Sequence, residues 1–156
     1  MNKISDTVEL LRVESPDLEV CARWRHEAFL QGSGLSVDDS VQDLRDTVAR
    51  TDAEAVLIAR VGGTVAGFCL LVRNELDPPH TLTPWLASLY VPPEFRQRGI
   101  ATTLVKATEN HARGLGFKIL HLYTWTAEAL YLQCGWRVGE RFDWHGKPFV
   151  LMHRDL

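Results

Sequence analysis

The sequence predicts a mixed α/β fold, a mostly antiparallel seven-stranded sheet with helices on both faces. Three observations predict it. Gly62-Gly63 and His145-Gly146 each lie between two strand-like runs and read as two-residue hairpin turns. Trp85 to Thr124 reads as strand, glycine-bearing turn, helix and strand, whose two strands should be parallel and joined by a right-handed crossover. Two helical periodicities precede the first hairpin, and a third precedes the second.

In chain order, Thr7 to Glu14 alternates weakly through Val8, Leu10 and Val13 and forms a first strand. Ser15-Pro16 opens a helix, with Ser15 as N-cap and Pro16 at the first helical position. Leu18, Cys21, Trp24 and Ala28 are its apolar stripe, and Gly32-Ser33-Gly34 ends it. Ser36-x-x-Asp39 resembles a capping box for a second helix, whose face is Val37, Val41, Leu44 and Val48. Glu54 to Val61 and Thr64 to Arg73 are the hairpin strands. Asn74 to Thr83 is a polar, proline-bearing loop. Trp85 to Val91 is the next strand, stopped by Pro92-Pro93, neither of which can donate a ladder hydrogen bond. Ile100, Leu104, Thr108, His111 and Leu115 share one face of the following helix, which Gly114 and Gly116 close. Phe117 to Thr124 is a buried strand. Ala127, Leu130, Tyr131 and Cys134 fall at helical spacing before Gly135, and Arg137 to Trp144 and Lys147 to Arg154 form the closing hairpin.

With 156 residues, 46% of them hydrophobic and 24% charged, residues 1–156 are expected to form one globular domain. No apolar run is long enough to cross a bilayer and no leader pattern precedes the first strand, so a cytoplasmic protein without a membrane partner is expected. Cys21, Cys69 and Cys134 are odd in number and far apart, which suits reduced core thiols. A net charge of −3 argues against a general nucleic-acid binder. The charge is uneven, however. Residues 1–83 carry 8 Lys/Arg against 14 Asp/Glu, and residues 84–156 carry 9 against 6. An anion held by the second half would leave the first half free to attract a cation.

The turn Arg96-Gln97-Arg98-Gly99-Ile100-Ala101 is the chemical focus. Where a strand has ended and a helix begins, successive N–H groups converge unpaired, and the helix dipole adds positive potential. Gly99 lets backbone approach a phosphate, and Arg96 and Arg98 add charge. The same residues would also serve an ordinary strand–helix turn.

These residues resemble the GNAT superfamily of acetyl-CoA-dependent N-acyltransferases. Arg96-x-x-Gly99-x-Ala101 fits the superfamily's Arg/Gln-x-x-Gly-x-Gly/Ala loop, and Ala127-x-x-Leu130-Tyr131-x-x-Cys134-Gly135-Trp136 fits its later helix and turn. The resemblance spans nearly the whole chain. It implies a splayed, parallel central strand pair, with coenzyme A diphosphate on Arg96, Gln97, Arg98, Gly99, Ile100 and Ala101 and a hydroxyl contact from Thr102. The pantetheine arm would lie in the splay against the backbone of Leu89 and Val91, by strand addition. Thr124 stands where relatives often carry an Asn that contacts this arm.

The resemblance further implies direct acetyl transfer to a primary amine. A backbone N–H of the fourth strand, that of Leu89 or Val91, would polarise the carbonyl, and Tyr131 would be the general acid to the thiolate. Read by itself, Tyr131 is equally an aromatic on the apolar face of a helix. Many relatives carry a Glu on the fourth strand, whereas this chain has Leu86, Ala87 and Ser88 there. Glu75, Asp77 and His80 in the preceding loop are the remaining candidates for the base. Trp24, His26 and Phe29 lie in the segment that borders the acceptor pocket of relatives. The acceptor is expected to be a small-molecule or peptide amine. No His spacing suggests a metal, and the closing hairpin could pair with a second copy. The competing reading is a CoA-binding regulatory module that has lost turnover.

Overall fold

The computed structural model describes residues 6–75 and 81–156. Strand β1 (Asp6–Leu10) is shorter than its alternation suggests. Its ladder with the next strand ends at Leu10, and a turn closed by the Ser15 N–H on the Arg12 carbonyl (3.0 Å) redirects the chain. Helix α1 (Asp17–Phe29) follows, starting one residue later than expected: Pro16 is its N-cap and makes no side-chain cap bond, while Ser15, one position earlier, accepts the Asp17 N–H on its Oγ at 3.1 Å. Helix α2 (Val37–Ala49) opens with a complete capping box. Ser36 Oγ accepts from the Asp39 N–H (3.0 Å), and the Asp39 carboxylate accepts from the Ser36 N–H (2.9 Å).

Strands β2 (Ala55–Val61) and β3 (Thr64–Val72) form the hairpin about Gly62-Gly63. Strand β4 (Trp85–Tyr90), a 3-10 turn at Pro93–Phe95 and helix α3 (Ile100–Gly114) come next. Strand β5 (Ile119–Thr124), helix α4 (Glu128–Gln133) and strands β6 (Arg137–Trp144) and β7 (Lys147–Asp155) complete the chain.

The seven strands make one sheet in the order β1-β2-β3-β4-β5-β7-β6, with every neighbouring pair antiparallel except β4 and β5. The period-2 alternation of β2 feeds two cores. Val56 and Ile58 pack with Leu18 and Cys21 of α1 and Leu44 of α2, and Ala55 and Leu57 pack on the face that carries Leu104 and Val105 of α3 and Tyr131 of α4. Covered on both sides, β2 and β3 are almost continuously buried. All three cysteines are buried and free.

Two features of β4 position the site. It pairs with β5 at Trp85–His121, where the His121 N–H donates to the Pro84 carbonyl (3.0 Å); among the described residues no pairing of the two strands follows, so they separate. The register of β4 on β3 also shifts between Phe68 and Leu70, and Ser88 sits at φ 55°. An extra residue opposite Cys69 makes this a bulge, which bends the strand where the gap opens.

Candidate functional site

The first component is the start of α3. Gln97 (φ 63°) and Gly99 (φ 79°) are both left-handed, so the chain curls on itself before the helix. The first i→i−4 bond of α3 runs from the Thr103 N–H to the Gly99 carbonyl (3.0 Å), and the N–H groups of Ile100, Ala101 and Thr102 therefore have no intrahelical acceptor. No acid stands in the first turn. A Cβ at Gly99 would meet nothing within 4 Å, so φ dictates glycine here and the space before it is open. The two arginines brace the loop. Arg96 Nε donates to the Val91 carbonyl (2.8 Å) with its guanidinium 5.9 Å from the Tyr90 ring centre, and Arg98 lies 5.4 Å from that of Phe95.

The second component is the gap between β4 and β5. A cavity of about 540 Å³ fills it, lined by Leu89 and Val91 of the β4 edge, Ala101 of α3, Thr124 at the end of β5 and Tyr131 of α4. Trp85, Leu86, Ala87 and Tyr90 are matched to residues of β3, whereas Leu89 lies within the bulge on the cavity wall. Tyr131 is 5% exposed. Burial raises its phenol pKa, with smaller contributions from Cys69 and Cys134, so the hydroxyl keeps its proton across the physiological range. Burial likewise pushes the Cys69 thiol up to about 12, and its Sγ lies 3.1 Å from Thr108 Oγ1.

A buried network holds Tyr131. Its carbonyl accepts from the Trp136 N–H (3.0 Å), and the two rings are 5.7 Å apart. Trp136 Nε1 donates to Glu109 Oε2 (3.0 Å), Arg154 Nε lies 3.6 Å from Glu109 Oε1, and Arg154 Nη1 donates to the Gly135 carbonyl (3.0 Å). Gly135 has φ 91°, and a Cβ there would come within 2.5 Å of Arg154 Nη1, so this turn accepts no side chain. At the other end of α4, Thr124 Oγ1 accepts from the N–H groups of Thr126 (3.3 Å) and Ala127 (3.2 Å). The hydroxyl thus orders the helix entry and keeps its own proton for donation.

A second cavity of about 650 Å³ adjoins the first, and the two share Phe29, Leu86, Ser88, Tyr123, Thr124 and Thr126. Glu75 lies in its wall and accepts from Tyr123 Oη at 3.3 Å. Burial raises the Glu75 pKa, opposed by the nearby Arg25 charge and the Tyr123 hydrogen bond. Arg25 Nη1 donates to Asp43 Oδ2 (2.7 Å) and its Nε to Ser88 Oγ (3.2 Å). A carboxylate, a phenol and a guanidinium thus converge on the β4 bulge.

Asp77 and His80 lie outside the described residues. Of the first-helix candidates, Phe29 is 47% exposed and lines both cavities. Trp24 packs in the core against Phe68 (6.3 Å) and Tyr90 (5.6 Å). His26 Nε2 bonds the Leu35 carbonyl (2.8 Å) and pins the loop after α1. Arg25, Ser88 and Tyr123 were not singled out by sequence. Arg25 carried a signal, since it continues the Leu18, Cys21, Ala22 face of α1 at helical spacing, and a charge on a buried face needs a partner. A further cavity of about 560 Å³ lies among β1, the end of α2 and His111, away from these groups. Among the described residues no group of His, Cys, Asp and Glu could hold a metal, and no helix is long and apolar enough to cross a membrane.

Residues 18–136 match the model of the acetyltransferase (GNAT) family. No curated protein sequence matches the chain. Among solved structures, a putative acetyltransferase from Salmonella typhimurium with its cofactor acetyl-CoA is similar at 15% identity and TM-score 0.75, over 97% of this chain and 94% of that one. An aminoglycoside 6′-N-acetyltransferase complexed with coenzyme A is similar at 15% identity and TM-score 0.75, over 96% of each chain. Spermidine N-acetyltransferase from Vibrio cholerae, in complex with CoA and spermine, is similar at 17% identity and TM-score 0.72, over 97% of this chain and 96% of that one.

Proposed function

The chain belongs to the acetyltransferase (GNAT) family, and from that premise we propose that it moves the acetyl group of acetyl-CoA directly to a primary amine, with Tyr131 as general acid. The observation that carries this reading is the continuity of one cavity from the first turn of α3, along the free edge of β4, to the Tyr131 side chain. An anion cradle, a strand edge and a proton donor then lie along one path.

The residues fit coenzyme A. The N–H groups from Gln97 to Thr102 suit its diphosphate, and the open space before Gly99 admits it. Arg96 and Arg98 add positive charge while their packing holds the loop. The β4 edge at Leu89 and Val91 suits the pantetheine amides. The Val91 carbonyl already accepts from Arg96, so the Val91 N–H and the Leu89 carbonyl are the groups left for this role. Acetyl-CoA supplies an acetyl group activated as a thioester.

Leu89 then turns its N–H toward the carbonyl oxygen and stabilises the negative charge that develops there. Glu75, with its raised pKa, takes a proton from the acceptor ammonium so that the amine attacks as a neutral nucleophile. Tyr131 gives its proton to the departing sulfur, and the proton that the attacking nitrogen loses as the amide forms restores the phenol. A phenol of pKa about 10 or above is fully protonated at neutral pH and can still donate to a thiolate of pKa about 8.5. Thr124 and Thr102 offer hydroxyl contacts to the cofactor.

The test is thiol release from acetyl-CoA over a panel of primary amines. Release above background is expected for at least one amine. Tyr131→Phe should lower kcat by about 10²-fold with little change in KM for acetyl-CoA, the loss typical of one general acid. Tight acetyl-CoA binding without release for any amine would instead identify a CoA-binding module.

A further inference from the structure

The acceptor side of the β4 bulge has walls unlike those of the cofactor side. Beyond Ser88 the second cavity opens between the end of α1 and the β6–β7 turn, and one of its walls is aromatic. Tyr123 lies 5.5 Å from Trp144 and 5.6 Å from Phe149, and Trp144 lies 5.3 Å from Phe149. Phe29 and Trp125 stand at the rim, both half-exposed.

Charge is scarce by comparison. Among the described lining residues Glu75 is the one carboxylate and Arg25 the one guanidinium. Arg25 is already committed to Asp43 and Ser88. Tyr123 occupies Glu75 Oε2 and leaves Oε1 for an incoming N–H.

We propose that this cavity takes an amine bearing a single positive charge on an aromatic body, its ammonium at Glu75 and its ring among Tyr123, Trp144 and Phe149. As the identity of the acceptor, this rests on the acetyltransferase reading above; as a statement about what binds, it stands on the cavity alone. The reasons are physical. A polyamine or aminoglycoside brings several charges, and among the described lining residues one carboxylate meets them, which leaves the further charges to ring faces and neutral polar groups without a counter-charge. An amino acid brings its own carboxylate next to Glu75, where the one guanidinium among the described lining residues is already paired. A ring attached to one ammonium satisfies both halves of the cavity, by apolar burial and offset or edge-on aromatic contact on one side and a charge-assisted hydrogen bond on the other.

The experiment titrates 2-phenylethylamine, L-phenylalanine, spermidine and kanamycin into the protein–CoA complex by calorimetry and measures thiol release from acetyl-CoA in parallel. Phenylethylamine should bind about tenfold or more tightly than the other three, since specificity is a difference of affinities and each competitor carries an uncompensated charge. Phe149→Ala should weaken phenylethylamine by about tenfold and leave spermidine unchanged. Phe29→Ala, at an exposed position that leaves the hairpin intact, should weaken it in the same selective way. Equal or tighter binding of spermidine, kanamycin or phenylalanine, no binding of any amine, or an equal effect of Phe29→Ala on every amine overturns the proposal. Selective phenylethylamine binding with no thiol release supports the cavity's selectivity and overturns the acetyltransferase reading alone.

Discussion

Glu75 and Tyr131 are both displaced by burial from their ordinary ionisation, and both shifts suit a proton's passage. Tyr131 is held protonated. Glu75 is raised above its usual 4.5 by burial, so its carboxylate is a stronger base than an exposed one. A carboxylate whose folded pKa exceeds its unfolded value gives the native chain the extra proton between the two values. Stability therefore falls as pH rises through the folded pKa and is recovered below the unfolded one. Glu75→Gln keeps the oxygen that Tyr123 bonds and removes the charge. It should lower kcat/KM by about 10²-fold and abolish the acid limb of the pH–rate profile. It should also melt above wild type at pH 7, with the gap closing on acidification below 4.5. Paired pH–rate profiles and thermal melts check both, and a variant of full activity would remove Glu75 from the reaction. At this scale the sequence singled out Tyr131 through its spacing before Gly135-Trp136, which is local. It named Glu75 beside Asp77 and His80 without its hydrogen-bond partner, because Tyr123 is 48 residues away in the chain and meets Glu75 only in the folded sheet.

Among the elements, those specified by neighbouring residues were the ones legible beforehand. The Ser36–Asp39 box and the Gly62-Gly63 and His145-Gly146 turns each follow from a few adjacent side chains and their allowed φ. The bulge at Ser88 was not legible. An extra residue in β4 is defined by its pairing with β3, and nothing in the local run LASLY marks it. The network behind α4 was partly visible, since Gly135 read as a helix stop, but its tie through Arg154 to Glu109 joins three elements. The start of α3 yields an expectation at this scale. Gly99→Glu places a charged side chain in a left-handed position, into open space where the diphosphate is proposed to lie. Thermal stabilisation by CoA should be lost while far-UV circular dichroism stays native. Undiminished stabilisation would move the diphosphate elsewhere.

For the whole molecule, the separation of β4 from β5 after Trp85 is what turns a sheet into a site. Closed sheets satisfy their edges internally; here an interior strand keeps a free edge in a gap flanked by a helix N-terminus and a buried phenol. The two cavities meet at Ser88, Tyr123 and Thr124, so cofactor and acceptor would approach from opposite sides of one bulge. The charge asymmetry of the sequence has a limited counterpart there: of the acidic first half, Glu75 reaches the described cavity wall and Asp43 neutralises Arg25. Diffraction from the CoA complex tests this arrangement most directly. The diphosphate is expected on the N–H groups between Gln97 and Thr102, the pantetheine along Leu89 and Val91, and the sulfur within hydrogen-bonding reach of Tyr131 Oη, about 3–3.5 Å. A diphosphate bound elsewhere, or a sulfur turned away from Tyr131, would contradict it.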